Sequence, residues 1–317
     1  MSERKPLIGH TVFLLGSAVF LLVLVTGGRG VLGMENLDPG NRQAETVKKE
    51  RIEQGAGGNG PGTSGFIFEE PRPDQPGKIK TPATGKSDDC IGDNEEQKDL
   101  PRVAIIIDDM GYHRQIGEDL LGLDLNLTFS FLPHAPFTAE QETLAWQQGH
   151  DILVHMPMQP KDSRWDPGPG TLYLTHSAQE LSMTVRENLD YVPHAIGVNN
   201  HMGSSFTADR LAMHLFLRQL RKKGLFFVDS LTTPESVGAD EAGKMGIKAG
   251  SRHVFLDNVQ TQEDICRQLK ELVAYARRHG SAIGIGHPNK ATYMALTSCR
   301  DMLLKQVRVV GVHELLH

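Results

Sequence analysis

Several positions in this chain carry side chains that could do chemistry together, and each follows a run of apolar residues. Asp108 and Asp109 close Val103-Ala104-Ile105-Ile106-Ile107, and His155 closes Ile152-Leu153-Val154. Asn199, Asn200 and His201 follow Ala195 to Val198, Asp229 follows Phe226-Phe227-Val228, and His287 follows Ala282 to Gly286. Two adjacent carboxylates repel each other unless a cation or a shared proton compensates. One carboxylate oxygen and two imidazole nitrogens make a ligand set for Zn²⁺ or a similar divalent ion, with positions left open for water and substrate. A second carboxylate and a third imidazole then remain to move protons. Each residue alone has a plainer reading. Aspartate caps helix N-termini, although that accounts for one aspartate and not two. A lone histidine at a strand end is as often packed as functional. Three histidines and paired carboxylates at successive strand ends are what the plain reading leaves unexplained.

Those residues need elements that bring them to one place. An unbroken apolar run such as 103–107 reads as a strand buried on both faces, as in parallel sheets. Further strands are expected at 127–132, 151–156, 195–198, 225–228, 254–256, 282–286 and 307–310. Helices are expected at 114–121, 139–148, 178–191, 208–223 with Thr207 as cap, 234–245, 261–279 and 291–304. The helix from Thr261 is the clearest, with Ile265, Leu269, Leu272, Val273 and Ala276 on one face and Gly280 after its end. This alternation predicts a distorted (β/α) barrel of about seven parallel strands, with a doubly wound open sheet as the alternative. In either, chemistry sits at the carboxyl ends of the strands. No Gly-x-Gly-x-x-Gly follows the first strand, so no nucleotide cofactor is expected. His150 precedes its strand and belongs on the opposite rim. His10, His113, His176, His214, His253 and His279 read as surface or packed residues.

The 317 residues carry a formal charge of −6, which argues against nucleic acid held on a basic surface. Cys90, Cys266 and Cys299 lie far apart without ligand spacing, so at most one disulfide is expected. Near the start, Arg4 and Lys5 precede an apolar run from Thr11 to Val25 that Leu7 and Ile8 extend. Residues 1–33 thus read as a membrane anchor with a cytoplasmic N-terminus, the competing reading being a cleaved signal peptide. Residues 34–100, rich in Gly and Pro and without apolar period, read as a disordered linker that gives reach. The domain at 101–317 would then lie across the membrane, in the periplasm of a Gram-negative cell.

The motifs also resemble a known family. Ile-Asp-Asp-Met-Gly-Tyr at 107–112, the stretch from Gly149 to Met158, Pro167 to Leu172, Val198 to Ser204, Phe226 to Ser230 and Ile285 to Pro288 occur in order. Together they resemble the divergent polysaccharide deacetylases, a branch related to the NodB-type carbohydrate esterases. The resemblance covers the whole predicted domain. It implies a distorted barrel and metal-dependent removal of acetyl groups from an acetylated carbohydrate polymer.

By that resemblance Asp108 is the catalytic base and Asp109 a metal ligand. His155 matches the first histidine of the family's second motif, but the second falls on Gln159, so His201 is the proposed third ligand. His287 resembles the late-motif general acid, with Asp229 to orient it. Asn199 and Asn200 are assigned to acetyl or sugar oxygens, with turn formation the competing reading. Trp165, before the loop Asp166 to Leu172, is a candidate for stacking on a sugar face or for packing within the loop. Asp257-Asn258 ends a short strand and is a further candidate. The alternative function is a glycan-binding envelope protein that kept the fold without turnover.

Overall fold

The computed structural model describes residues 99–317. The expected anchor at 1–33, and the expected linker apart from its last two residues, lie outside the described residues. Among the described residues no helix is long and apolar enough to cross a membrane.

Among the described residues, nine parallel strands form one curled sheet. In chain order they are β1 (Arg102–Met110), β2 (Thr128–Phe131), β3 (Asp151–Met158), β4 (Gly197–Met202), β5 (Phe226–Asp229), β6 (Ala249–Ser251), β7 (Val254–Phe255), β8 (Ser281–Gly286) and β9 (Arg308–Val309). The lateral order is β6-β5-β4-β3-β2-β1-β8-β7, with β9 also paired to β1. Helices α1 (Arg114–Leu121), α2 (Thr138–Gln147), α3 (Ala178–Asp190), α4 (Arg210–Lys223), α5 (Gly238–Lys244), α6 (Gln262–His279) and α7 (Lys290–Gln306) connect them. The expected alternation is present, and the sheet forms a curled half-barrel rather than a fully laddered barrel. Its two edge strands, β6 and β7, are consecutive in the chain and joined by Arg252-His253. Arg252 N–H donates to Asp229 O on one side of the gap, and His253 N–H to Ile283 O on the other.

Some local expectations change. β6 has the sequence Ala-Gly-Ser and carries no apolar signal, so the sequence does not reveal it. Asp209, not Thr207, caps α4 by accepting from Ala212 N–H, while Thr207 Oγ1 donates to Gly203 O. The helix expected at 234–245 contracts to α5. Helix α6 buries the five expected residues and ends at Gly280, whose φ of 85° lies in the left-handed region. Cys266 and Cys299 pair, linking α6 to α7.

Strand alternation divides the core in two. Val103, Ile105 and Ile107 join the large cluster between sheet and helices. Ala104, Ile106, Leu153, Val228, Ile283 and Ile285 face the concave side and meet Val310, Val312, Leu315 and Leu316 of the C-terminal segment. That segment ends in a 3₁₀ turn, Val312–Leu315. Asp151 at the start of β3 clamps it, accepting from His313 N–H at 3.0 Å and lying 2.7 Å from His313 Nδ1. Apolar side chains therefore fill the lower part of the concavity, and the strands' carboxyl ends carry polar groups above them.

Candidate metal centre

The inner parity continues past the apolar core into the functional residues. Asp108 follows Ala104 and Ile106 along β1, and His155 follows Leu153 along β3. Asn199 and His201 share one face of β4, Ser230 follows Val228, and His287 follows Ile285. Asp108, His155, Asn200, His201, Ser230 and His287 border one cavity, together with Met202, Thr232, Arg252, Phe255 and Ile285.

Asp109 should point outward by the same rule. A bulge redirects it. From Ile107 to Met110 there are three steps on β1, matched by the two from Phe129 to Phe131 on β2. Asp109 takes φ of 54°, a left-handed conformation that aspartate tolerates better than most residues. The other non-glycine residues with positive φ among those described are Met202 at 50° and Leu231 at 52°, also on this rim. Such conformations cost on the order of 1–3 kcal/mol each and persist only where the surroundings impose them.

Three ligand atoms converge as a result. Asp109 Oδ1 lies 3.1 Å from His155 Nε2 and 3.0 Å from His201 Nδ1, and the two nitrogens are 3.2 Å apart. Ligand atoms held at about 2.0 Å around a tetrahedral ion are about 3.3 Å from one another. Asp109 Oδ1 is buried and, although close to both rings, accepts no hydrogen bond of proper direction. An orphaned carboxylate oxygen between two imidazoles fits a divalent cation better than it fits a proton. Asp109, His155 and His201 are the group that could hold one among the described residues.

The electrostatics agree. Burial would raise the pKa of Asp109, but His201 and His155 outweigh it and hold the carboxyl well below the usual range. Burial pulls His155 down, yet Asp108 and Asp109 raise it overall. The cluster is short of positive charge. Asp108 is different: burial raises its pKa in spite of His155 and His287. Its Oδ2 is 3.7 Å from His155 Nε2, beside the three ligand atoms rather than among them.

Asn199, fully buried, organises this arrangement from behind. Its Oδ1 lies 2.8 Å from His155 Nδ1 and accepts from Ser130 Oγ at 2.6 Å, and its Nδ2 donates to Asp108 Oδ1 at 2.7 Å. Both ends of the amide expected to meet substrate oxygens are thus engaged within the protein. Asn200 borders the cavity and is also engaged within the protein. Its Oδ1 accepts from Ser230 N–H and its Nδ2 donates to Met202 O, tying β4 to the turn after β5.

Asp229 does not orient His287. It lies on the outward face of β5 between Val228 and Ser230, accepting from Ser236 Oγ at 2.6 Å and Leu231 N–H at 2.9 Å. The partner of His287 is Asp257, just beyond β7. Asp257 Oδ1 is 2.9 Å from His287 Nδ1, and Oδ2 accepts from His287 N–H, Asn289 Nδ2 and Thr292 Oγ1. Burial opposes the charge on His287, but Asp257 prevails and pushes its pKa up to about 9. The sequence could point to Asp257 only as an acid at a strand end, because the pairing crosses from β7 to β8.

Gln159 is engaged with the loop after β3. Its Oε1 accepts from Leu174 N–H and its backbone bonds Leu172, so it pins the loop after β3. That loop approaches the site, since a Cβ at Gly168 would stand 3.9 Å from Tyr112 Oη. Burial, Asp109 and Asp166 all raise the Tyr112 pKa. Trp165 is half-buried and does not border the cavity. His150 bonds Leu127 O at the far rim, where the sequence puts it.

Residues 105–316 match the divergent polysaccharide deacetylase family. The chain belongs to that family. The sequence is 39% identical over 214 residues to an uncharacterised protein of Haemophilus influenzae, covering 68% of this chain and 76% of that one. It is 34% identical over 216 residues to the uncharacterised protein YibQ of Escherichia coli, covering 68% and 67%. Among solved structures, an uncharacterised Agrobacterium tumefaciens protein superposes with a TM-score of 0.66 at 26% identity, covering 68% and 89%. The family expected from the motifs is thus the family of this chain, and the Agrobacterium protein shares its parallel α/β fold.

Proposed function

We propose that this divergent polysaccharide deacetylase is a metal-dependent hydrolase that removes acetyl groups from an envelope or extracellular polysaccharide. The observation that carries the reading is the convergence of Asp109 Oδ1, His155 Nε2 and His201 Nδ1 within 3.2 Å of one another, beside an unliganded carboxylate. Asp109, His155 and His201 would hold the ion, zinc or a similar divalent metal. When bound, it would polarise an acetyl carbonyl and make a nearby water easier to deprotonate.

The protein's own groups supply the rest. Asp108, beside the three ligand atoms rather than among them, takes a proton from the attacking water. Asn199 keeps Asp108 aimed by donating to Oδ1, which leaves Oδ2 for that proton. His287 is protonated at neutral pH because Asp257 holds it so, and it lends the Nε2 proton to the departing amine or alkoxide. Apolar Met202, Phe255 and Ile285 limit the water around these groups.

The same reading places the domain outside the cytoplasm on an N-terminal anchor. The apolar run in residues 7–25 supports this, and the Cys266–Cys299 pair suits an oxidising compartment. Metal analysis of the purified protein, alongside acetate release from acetylated glycans, tests the function. One divalent ion per chain with acetate release is expected. Metal without release from any acetylated glycan would favour the glycan-binding alternative. Intact Met1 in the membrane fraction would support the anchor, and a new N-terminus near Gly33 would refute it.

A further inference from the structure

Among the described residues, the hydroxyls of Ser230 and Thr232 border the cavity. Thr232 Oγ1 donates to Met202 O at 3.0 Å, so its proton is spent within the protein. Ser230 differs. It is only 7% exposed, its Oγ accepts from Asn199 Nδ2 at 3.2 Å, and among the described residues nothing accepts its proton in return. The residue is fixed on both sides. Its N–H donates to Asn200 Oδ1 at 2.9 Å, and its carbonyl accepts from Arg252 Nε at 2.8 Å. The turn that follows is strained, with Leu231 at φ of 52°, and Asp229 Oδ1 holds it by accepting from Leu231 N–H at 2.9 Å. Strain of this kind persists where the surroundings impose it, and it gathers at functional sites.

The amide that meets Ser230 also meets the base, since Asn199 Nδ2 donates to Asp108 Oδ1 at 2.7 Å. The two N–H bonds of an amide diverge by about 120°, which sets Ser230 Oγ roughly 5 Å from Asp108 Oδ1. One further oxygen, about 2.8 Å from each, spans such a gap. Ser230 offers that oxygen a proton, while Asp108 Oδ1 asks one of it. A hydroxyl group meets both conditions; a carbonyl or carboxylate oxygen meets only the first and is repelled by Asp108. Oδ1 still accepts after Oδ2 has taken the proton of the attacking water. The gap also lies on the side of Asp108 away from the metal ligands, because Oδ2 is the oxygen that faces His155. It is placed for a group on the sugar rather than for the acetyl oxygen. We propose that Ser230 and Asp108 Oδ1 together bind a free hydroxyl of the acetylated sugar, so that Ser230 selects glycans in which this hydroxyl is unsubstituted. This specificity role rests on the deacetylase reading and narrows its substrate class.

The test uses the zinc-loaded full chain and a β-1,4-linked trimer of N-acetylglucosamine, with two analogues in which every 3-hydroxyl or every 6-hydroxyl is replaced by hydrogen. One analogue should lose about tenfold or more in kcat/KM, the cost of two hydrogen bonds of which one is to a carboxylate. That loss should shrink about threefold or more in Ser230→Ala and return in Ser230→Thr, which keeps the hydroxyl. Comparing parent and analogue within each variant cancels any general effect of the substitution on folding or metal content. Equal turnover of all three compounds by the unaltered protein, or an undiminished loss in Ser230→Ala, would overturn the proposal. Calorimetric binding of the same compounds separates this idea from the hydrolytic one. If no acetate is released, yet the parent binds more tightly than one analogue and Ser230→Ala narrows the difference, the subsite stands and the hydrolase reading falls. Acetate released from parent and analogues alike leaves the hydrolase reading and removes the subsite. A parent trimer that is neither bound nor cleaved overturns both.

Discussion

Nδ1 of His155 lies 2.8 Å from Oδ1 of Asn199, and the two residues face each other in the β3–β4 register. The contact directs the Nε2 lone pair of His155 at Asp109 and His201, because the amide oxygen takes the Nδ1 proton. The other end of the same amide steadies Asp108. One buried side chain thus orients both a metal ligand and a base. Asn199→Ala should lower metal affinity about 10- to 100-fold, the usual cost of losing such a support. Competition with a chelator measures it, and affinity equal to that of the unaltered protein would remove Asn199 from this role.

Each of Asp109→Ala, His155→Ala and His201→Ala should abolish stoichiometric metal, as read by elemental analysis of folded protein. His201 matters most, because Gln159 stands where the wider family has a histidine. Full metal content in His201→Ala would sink the ligand set.

Asp108→Asn should retain the metal and lose turnover by about 10²- to 10⁴-fold, the usual contribution of a general base. Loss of metal as well would instead make Asp108 a ligand.

His287 couples activity and stability to pH. Its folded pKa is about 9, above the unfolded value of about 6.5. Its pairing with Asp257 thus stabilises the fold fully below about pH 6.5 and loses that contribution as the pH rises through about 9. Urea titrations should show the stability gap between the unaltered protein and Asp257→Asn shrinking over that interval. The alkaline limb of kcat should move to lower pH in Asp257→Asn, because the imidazole loses its counter-charge. An unmoved limb would mean that another group donates the proton.

The C-terminal segment is the floor of the concavity. Leu315 and Leu316 are buried against the inner faces of the strands. Leu315→Ala should cost about 2–5 kcal/mol, typical of a buried leucine. Denaturant unfolding checks this, and a change below about 1 kcal/mol would show that the segment is not integral to the fold.

Much of this site is legible in the chain itself. Unbroken apolar runs and helices of period 3.6 state the α/β alternation, and most strand ends announce a polar residue. Asp108, Asp109, His155, His201 and His287 stand out because a buried run that ends in an ionisable group needs a partner. The motif order identifies the family without coordinates. What the chain alone cannot state is which face a residue takes when regular alternation breaks, or which residue it meets across strands. Asp109 turns inward only because β1 bulges against β2. Asp229 turns outward because β5 stays regular, so Asp257 rather than Asp229 holds His287. Asn199 reads as a free amide in one dimension and becomes a buried brace in three. Local patterns are set by near neighbours along the chain, which the sequence prints. The roles of Asp109, Asp257 and Asn199 are set by contacts across the sheet, which only its folding creates.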